Sequence, residues 1–242
     1  MADRHPPDAS STPADADPIV SRRQALTAAG ALAAAGVASA QPASGTPAAA
    51  PPVGLVGIAQ APANAVEFRA QFMQTGSSGE NFVGFGYLTR VAGARDGELF
   101  AGAPGESTAM FTAYASGALV NRIHDGSAVH TLDVEGTLTI YQRAAPGASF
   151  ADPGSFKVGV PVAQFAVSLQ DVLTVFAPGK GLPSLNGALQ QTRSERLASA
   201  PAGRRFGHVG SRARLSATGL GELLDAATLN SKLVMAGHWV VE

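Results

Sequence analysis

From residue 64 onwards, apolar and polar side chains alternate with a period of two, the pattern of strands that turn one face towards a protein core. The clearest run covers residues 130–141, and its apolar positions are His130, Leu132, Val134, Gly136, Leu138 and Ile140. Similar runs cover residues 66–72, 82–91, 107–118, 161–176, 184–193, 205–218 and 231–241. The pattern therefore predicts an all-β domain of about eight antiparallel strands.

Eight such strands fit either a closed barrel or a two-layer sandwich. A closed barrel leaves no strand edge unpaired, and glycines inside the predicted strands, such as Gly84 and Gly136, fit the bends that a small barrel needs. Helical pattern is scarce, and the best candidate is a short helix over residues 220–227. We predict a single eight-stranded antiparallel β-barrel with little helix, and the sandwich stays the alternative.

The N-terminal residues have the composition of an export signal rather than of a folded domain. Arg22 and Arg23 precede an uncharged run over residues 27–40, which ends in the small-x-small site Ala38-Ser39-Ala40. Residues 1–40 therefore predict a twin-arginine signal peptide that is read by the twin-arginine export machinery and removed by signal peptidase. The mature protein is then expected in the periplasm or outside the cell. The alternative is an alanine-rich tail with a chance pair of arginines.

Composition divides the rest of the chain into a linker and one domain. Residues 41–63 are rich in proline, alanine and glycine, which is typical of a semi-extended tether and predicts a disordered linker. Residues 64–242 carry the strand pattern and are long enough for one domain with a real core. The apolar run over residues 27–40 is shorter than the roughly 20 residues of a spanning helix, so no stable membrane span is expected.

Charge and cysteine content exclude several classes of function. Beyond residue 40 the basic and acidic residues are equal in number, so the domain offers no basic surface for nucleic acid. Cysteine is absent, which excludes disulfides, a thiolate nucleophile and cysteine-ligated metal. The histidines have no H-x-H or H-x-x-x-H spacing, so neither a metal site nor a cofactor is predicted.

Few residues are candidates for chemistry, and none is identified as catalytic. His130 stands on the apolar face of its strand, where an imidazole can hold a proton near physiological pH, although a histidine satisfied at a strand end is the alternative. Asp133 and Glu135 stand on the polar face and form an acid–base pair only if that face lines a cavity; otherwise both carboxylates are solvated.

Aromatic residues are candidates for a ligand-binding wall or for the hydrophobic core. In a barrel lumen one side chain can serve both roles. The predicted ligand-binding residues are Phe68, Phe72, Phe111, Tyr114, Phe165 and Trp239.

Three segments resemble the allene oxide cyclase barrel-like superfamily, which includes the dirigent proteins: residues 134–141 (VEGTLTIY), 150–156 (FADPGSF) and 159–165 (GVPVAQF). The resemblance covers roughly residues 65–242. It implies an eight-stranded barrel whose apolar lumen binds a small apolar molecule without a cofactor and guides a cyclisation, isomerisation or coupling. It also implies that copies of the barrel can associate. The alternative is a structural or interaction barrel of the cell envelope with a filled core.

Overall fold

The computed structural model describes residues 65–126, 128–198 and 203–242, so the predicted signal peptide and linker lie outside the described residues. Eight strands form one closed antiparallel barrel in which each strand pairs with the next and the last pairs with the first. The strands are β1 (Ala65–Thr75), β2 (Asn81–Val91), β3 (Phe111–Asp125), β4 (Val129–Gln142), β5 (Val160–Ala177), β6 (Lys180–Ser194), β7 (Arg212–Asp225) and β8 (Asn230–Val241). The predicted barrel is confirmed.

Alternation along each strand separates an apolar interior from a polar exterior. On β1, Phe68, Ala70 and Phe72 are buried, whereas Arg69 between them is exposed. The other strands add their own inward residues to the same core, among them Phe111, Ile140, Phe165, Leu169, Leu185, Leu189, Leu215, Met235 and Trp239. The core therefore fills the interior of the barrel, as the period of two predicts.

Strand β2 departs from this alternation because both of its faces are covered. Phe82 and Leu88 point inwards, but Phe85 and Tyr87 on the outer face are buried as well. The connections that follow β2 and β4 bring aromatic rings over them, at ring-centroid distances of 5.5 Å from Phe85 to Phe156 and 6.3 Å from Tyr87 to Phe100. A second, smaller aromatic cluster thus lies outside the barrel wall.

The described residues contain one short α-helix, α1 (Asp96–Leu99), and two 3₁₀ turns at Glu106–Thr108 and Pro153–Lys157. No helix among them has the length and apolarity needed to cross a lipid bilayer. The helix predicted over residues 220–227 is wrong, since β7 continues to Asp225. Leu220 pairs with Val234 on β8, so cross-strand hydrogen bonding prevails over the helical spacing of the leucines there.

The two ends of the barrel differ in how the strands are connected. Short connections join β1 to β2, β3 to β4, β5 to β6 and β7 to β8, and we call the end where they lie the hairpin end. Long connections over residues 92–110, 143–159 and 195–211 lie at the opposite end, which we call the loop end. Access to the interior is therefore shaped by different residues at each end.

Candidate functional site in the barrel lumen

Three cavities follow one another along the lumen, and the central one is the smallest. Its volume is about 40 Å³, and only apolar atoms line it, including those of Phe68, Phe72, Leu169, Leu185 and Trp239. Pockets for small molecules usually have volumes of about 300–1,000 Å³. In this structure the centre of the barrel is therefore packed too tightly to hold an organic ligand.

A larger cavity of about 260 Å³ lies at the loop end. Its walls include Phe111, Phe165 and Trp239, together with Phe206 from the connection between β6 and β7. The side-chain amide of Gln191 is buried there and donates hydrogen bonds to the carbonyl oxygens of Arg193 and Phe206 at 2.9 and 2.6 Å. Those bonds fix the connection against the barrel, and the amide nitrogen is already engaged by protein.

The six predicted ligand-binding residues divide between the lumen and the outer wall. Phe68 and Phe72 line the central cavity, Phe111 and Phe165 line the loop-end cavity, and Trp239 separates the two by touching both. Tyr114 does not line the lumen, because its place in the alternation of β3 turns it outwards. On the outer wall, the ammonium nitrogen of Lys157 lies 3.9 Å from the centroid of the Tyr114 ring.

At the hairpin end, a cavity of about 230 Å³ opens between aliphatic walls and a polar rim. Leu132, Leu173 and Leu233 contribute the walls. Polar side chains on β3, β4, β6 and β7 form the rim: Arg122, His124, His130, Lys180 and Glu222. The site thus combines an apolar interior with a few polar groups at its mouth, as small-molecule sites commonly do.

Arg122 and His124 reach this cavity because of an irregularity in β3. The register between β3 and β4 shifts between Leu119 and Asn121, after which Arg122 pairs with Leu132 and His124 pairs with His130. A bulge of this kind changes which side chains of a strand point inwards. It therefore brings two basic side chains of β3 to the inner side of the hairpin end.

Asp171 is the one charged residue that lies deep in the described part of the lumen. Only 1% of its surface is exposed, and it occupies the inward position between Leu169 and Leu173 on β5. Leu169 lines the central cavity and Leu173 lines the hairpin-end cavity, so Asp171 lies at the level that separates the two. Its neighbours on the adjoining strands are Leu132 and Leu185.

The carboxyl group of Asp171 has no hydrogen-bond partner on either oxygen. Burial in these apolar surroundings raises its pKa from the ordinary value of 3.8 to about 6, although the nearby backbone N–H of Ser184, which does not meet normal hydrogen-bond geometry, lowers it in part. Burial of an ionised carboxylate without a partner costs free energy, and groups with such shifts are concentrated at functional sites. Asp171 is therefore the strongest candidate for a functional residue in the barrel.

The amino-acid sequence itself carries a signal for Asp171, which the predicted site residues do not include. Inward positions of β5 are Phe165, Val167, Leu169, Asp171 and Leu173, an apolar series with one acid inside it. The acids predicted as candidates, Asp133 and Glu135, stand on the polar face of β4, and the residues of β5 were predicted only as an apolar strand. An acid in phase with the apolar face is the more informative pattern.

The three residues predicted as weak catalytic candidates lie in different environments. His130 turns towards the hairpin-end cavity, whereas Glu135 is exposed on the outer wall. Asp133 also lies outside, where it accepts hydrogen bonds from the side chains of Asn121 at 3.1 Å and Gln170 at 3.0 Å. The two carboxylates therefore face solvent and are separated from the lumen by the barrel wall.

Within the described ranges, no three histidine, aspartate or glutamate side chains come together in a cluster that could hold a metal ion. No protein-family model, no curated protein and no solved structure matches this chain. The barrel agrees with the fold that the resemblance to the allene oxide cyclase barrel-like superfamily implies, but the kinship itself stays a prediction.

Proposed function

We propose that this barrel binds a small, mainly apolar molecule that enters the lumen from the hairpin end and places a hydrogen-bond donor against Asp171. One observation carries the proposal: a carboxyl group without a partner is held inside an otherwise apolar barrel. A donor on a ligand would supply the missing hydrogen bond and relieve part of the cost of burial. The aliphatic walls at Leu132, Leu173 and Leu233 suit the apolar part of the same molecule.

The size of the cavities limits the ligand. The hairpin-end cavity of about 230 Å³ falls somewhat below the usual range for small-molecule sites, and the central cavity of about 40 Å³ adds little. The ligand is therefore small, or it displaces the leucine side chains at the level of Asp171 when it enters. Apolar walls exclude water and fix the conformation of what they enclose, which favours cyclisation or isomerisation.

A pKa of about 6 also makes Asp171 suitable for moving a proton. General acids and bases work best when their pKa lies near the ambient pH, and burial brings Asp171 closer to it than an ordinary aspartate. We place any isomerase or cyclase activity at this carboxyl group, without a cofactor. The same proposal includes membership in the allene oxide cyclase barrel-like superfamily, which the sequence resembles.

A second candidate function has support from the central cavity. With about 40 Å³ of free space, the middle of the barrel is filled by its own side chains, as expected of a structural or interaction barrel of the cell envelope. Such a barrel would use its outer face or its connections to contact partners, including further copies of itself. A purely structural role gives no reason, however, for Asp171 to occupy a buried position where a leucine would stabilise the fold.

The first experiment looks for the ligand by native mass spectrometry of the gently purified chain. We expect a mass increment from a bound small molecule that is lost on denaturation. Asp171→Leu removes the anchoring carboxyl group and is expected to abolish the increment while the barrel stays folded. Leu173→Trp, which fills the hairpin-end cavity, is expected to do the same.

Leu182→Trp is the matched control, because Leu182 lies on the outer face of β6 and is 47% exposed. It adds the same side chain without entering the lumen, so the bound molecule should persist. Repeated spectra of the bare chain, or a bound mass that all three variants keep, would argue for the filled structural barrel instead.

Export is proposed on the sequence alone, since residues 1–40 lie outside the described ranges. Replacing both Arg22 and Arg23 by lysine keeps the charge but removes the paired arginines of the signal. We expect the precursor to accumulate in the cytoplasm, as measured by cell fractionation and immunoblotting. Secretion at the normal level would reject the twin-arginine route.

A further inference from the structure

Two histidines at the hairpin end face each other across neighbouring strands. His124 near the end of β3 and His130 near the start of β4 are directly paired in the register. Their Nδ1 atoms form a hydrogen bond at 2.6 Å, in which one ring donates and the other accepts, and the ring centroids are 4.6 Å apart in an edge-to-face arrangement. A divalent metal ion that replaces the shared proton would bind both nitrogens at once.

We propose that His124 and His130 form a two-histidine chelate for a divalent transition metal at the mouth of the barrel. Imidazole is a common ligand for copper, nickel and zinc, and side chains directly opposite on antiparallel strands are close enough to share one ion. The site uses two protein ligands and leaves the remaining coordination positions to water. It is therefore compatible with the absence of any three-residue cluster among the described residues.

The spacing of the two nitrogens favours some metals over others. With metal–nitrogen bonds of about 2.0–2.1 Å, two ligands at a right angle are about 2.9 Å apart, and two ligands at a tetrahedral angle are about 3.4 Å apart. The hydrogen-bonded nitrogens, 2.6 Å apart, need to separate less to reach the right angle of a square-planar or tetragonal site, which Cu²⁺ and Ni²⁺ prefer, than to reach a tetrahedral angle. Cu²⁺ binds such nitrogen ligands more tightly than Ni²⁺ does, so the proposal commits to Cu²⁺.

Three charged side chains line the same cavity as the pair: Arg122, Lys180 and Glu222. The positive charge of Arg122 in the same cavity opposes a cation, although its guanidinium is directed to the carbonyl oxygen of Gly79 at 3.3 Å. Lys180 and Glu222 on the rim form an ion pair with each other at 2.6 Å.

Histidine spacing along one strand or helix, the basis of the sequence-based prediction, does not reveal this pair. The two residues are six positions apart in the chain, a spacing with no metal-binding signature of its own. They become neighbours only because β3 and β4 form a hairpin, and they share the inner side only because the register shifts between Leu119 and Asn121. The proposed chelate lies at the rim of the cavity and does not depend on the ligand proposed for Asp171.

The test is a titration of the full chain with CuCl₂, followed by calorimetry and by electron paramagnetic resonance. We expect one Cu²⁺ per chain with a tetragonal spectrum and coupling to two imidazole nitrogens. His124→Ala and His130→Ala should each lower the affinity at least about tenfold, since loss even of an outer-shell partner of a ligand costs about 10–100-fold. His208→Ala, a change of an exposed histidine outside this cavity, should leave the affinity unchanged.

Circular dichroism of the alanine variants establishes that the barrel is intact in each. The proposal is overturned if the chain binds no Cu²⁺, if both variants at the hairpin end bind it as well as the parent, or if only one of them loses affinity. The last result would indicate a single-histidine site that recruits other ligands rather than a chelate.

Discussion

Asp171→Asn is expected to stabilise the protein at pH 8 by up to about 3 kcal/mol. The carboxyl group has a pKa of about 6 in the folded barrel against an ordinary value of 3.8, and each pKa unit corresponds to about 1.4 kcal/mol. Because the folded pKa is raised, the folded protein keeps this proton to higher pH than the unfolded chain does. The contribution of Asp171 to stability therefore falls as pH rises from about 4 to 6 and stays low above that.

Asparagine closely resembles the protonated carboxyl group and does not ionise. The stability difference between Asp171→Asn and the parent should thus nearly vanish at pH 4 and be full at pH 8, as measured by urea unfolding at a series of pH values. Asp133→Asn on the outer wall is the matched control and should show little change. A parent protein that is as stable as the Asp171→Asn variant at pH 8, or more stable, would show that the carboxylate has partners in solution.

Gly136→Ala is expected to destabilise the barrel by about 3 kcal/mol, at the upper end of the usual cost of overpacking. Gly136 on β4 pairs directly with Gly117 on β3. A Cβ atom at Gly136 would collide with the carbonyl oxygen of Ser116 and would lie 2.6 Å from the Cα atom of Gly117. Both obstacles are backbone atoms, so the two strands must separate to admit the methyl group. Chemical denaturation of the variant measures the cost.

Gly97→Ala is the control for the same change at an open position. Gly97 lies in α1, and a Cβ atom there would meet nothing within 4 Å. Since alanine favours helix over glycine, this variant should be as stable as the parent or slightly more stable. Equal stability of both variants would mean that β3 and β4 do not approach each other at Gly136 as closely as the structure has them.

The architecture was predictable because its cause is repeated along the whole chain. Alternation of apolar and polar residues on β1, β4 and β5 marks one buried face per strand, and that face is the interior of the barrel. The register of β4 follows from the same pattern, since a slip by one residue would turn Val134 and Leu138 to the outside. Local pattern and global fold agree over these strands.

Other features could not be predicted from the sequence because they depend on contacts between distant segments. The outward burial of Phe85 and Tyr87 depends on the connections that follow β2 and β4, which no period along β2 reveals. The extension of β7 through Leu220 depends on pairing with β8. The pairing of His124 with His130 depends on a bulge, and a bulge shifts the phase of a strand without a fixed sequence signature.

The predicted site residues and the candidate residue Asp171 lie in different parts of the lumen. The aromatic residues predicted as ligand contacts lie mostly in the lumen, but they line its centre and its loop end rather than the hairpin-end cavity. Asp171 was visible as an acid in an apolar series, and its importance became evident only with the finding that no neighbour bonds to either oxygen. The sequence shows an acid among apolar residues, and only the structure shows that its carboxyl group has no hydrogen-bond partner.

Titration of the Asp171 side-chain carboxyl carbon by ¹³C nuclear magnetic resonance tests most directly whether the lumen holds a carboxyl group without a partner. The resonance can be assigned by comparison with the Asp171→Asn variant, in which it is missing. We predict a midpoint near pH 6, raised by burial. A midpoint at or below 3.8 would contradict the account, because it would mean that water or a protein donor already satisfies the carboxylate and that the lumen offers a ligand no free anchor.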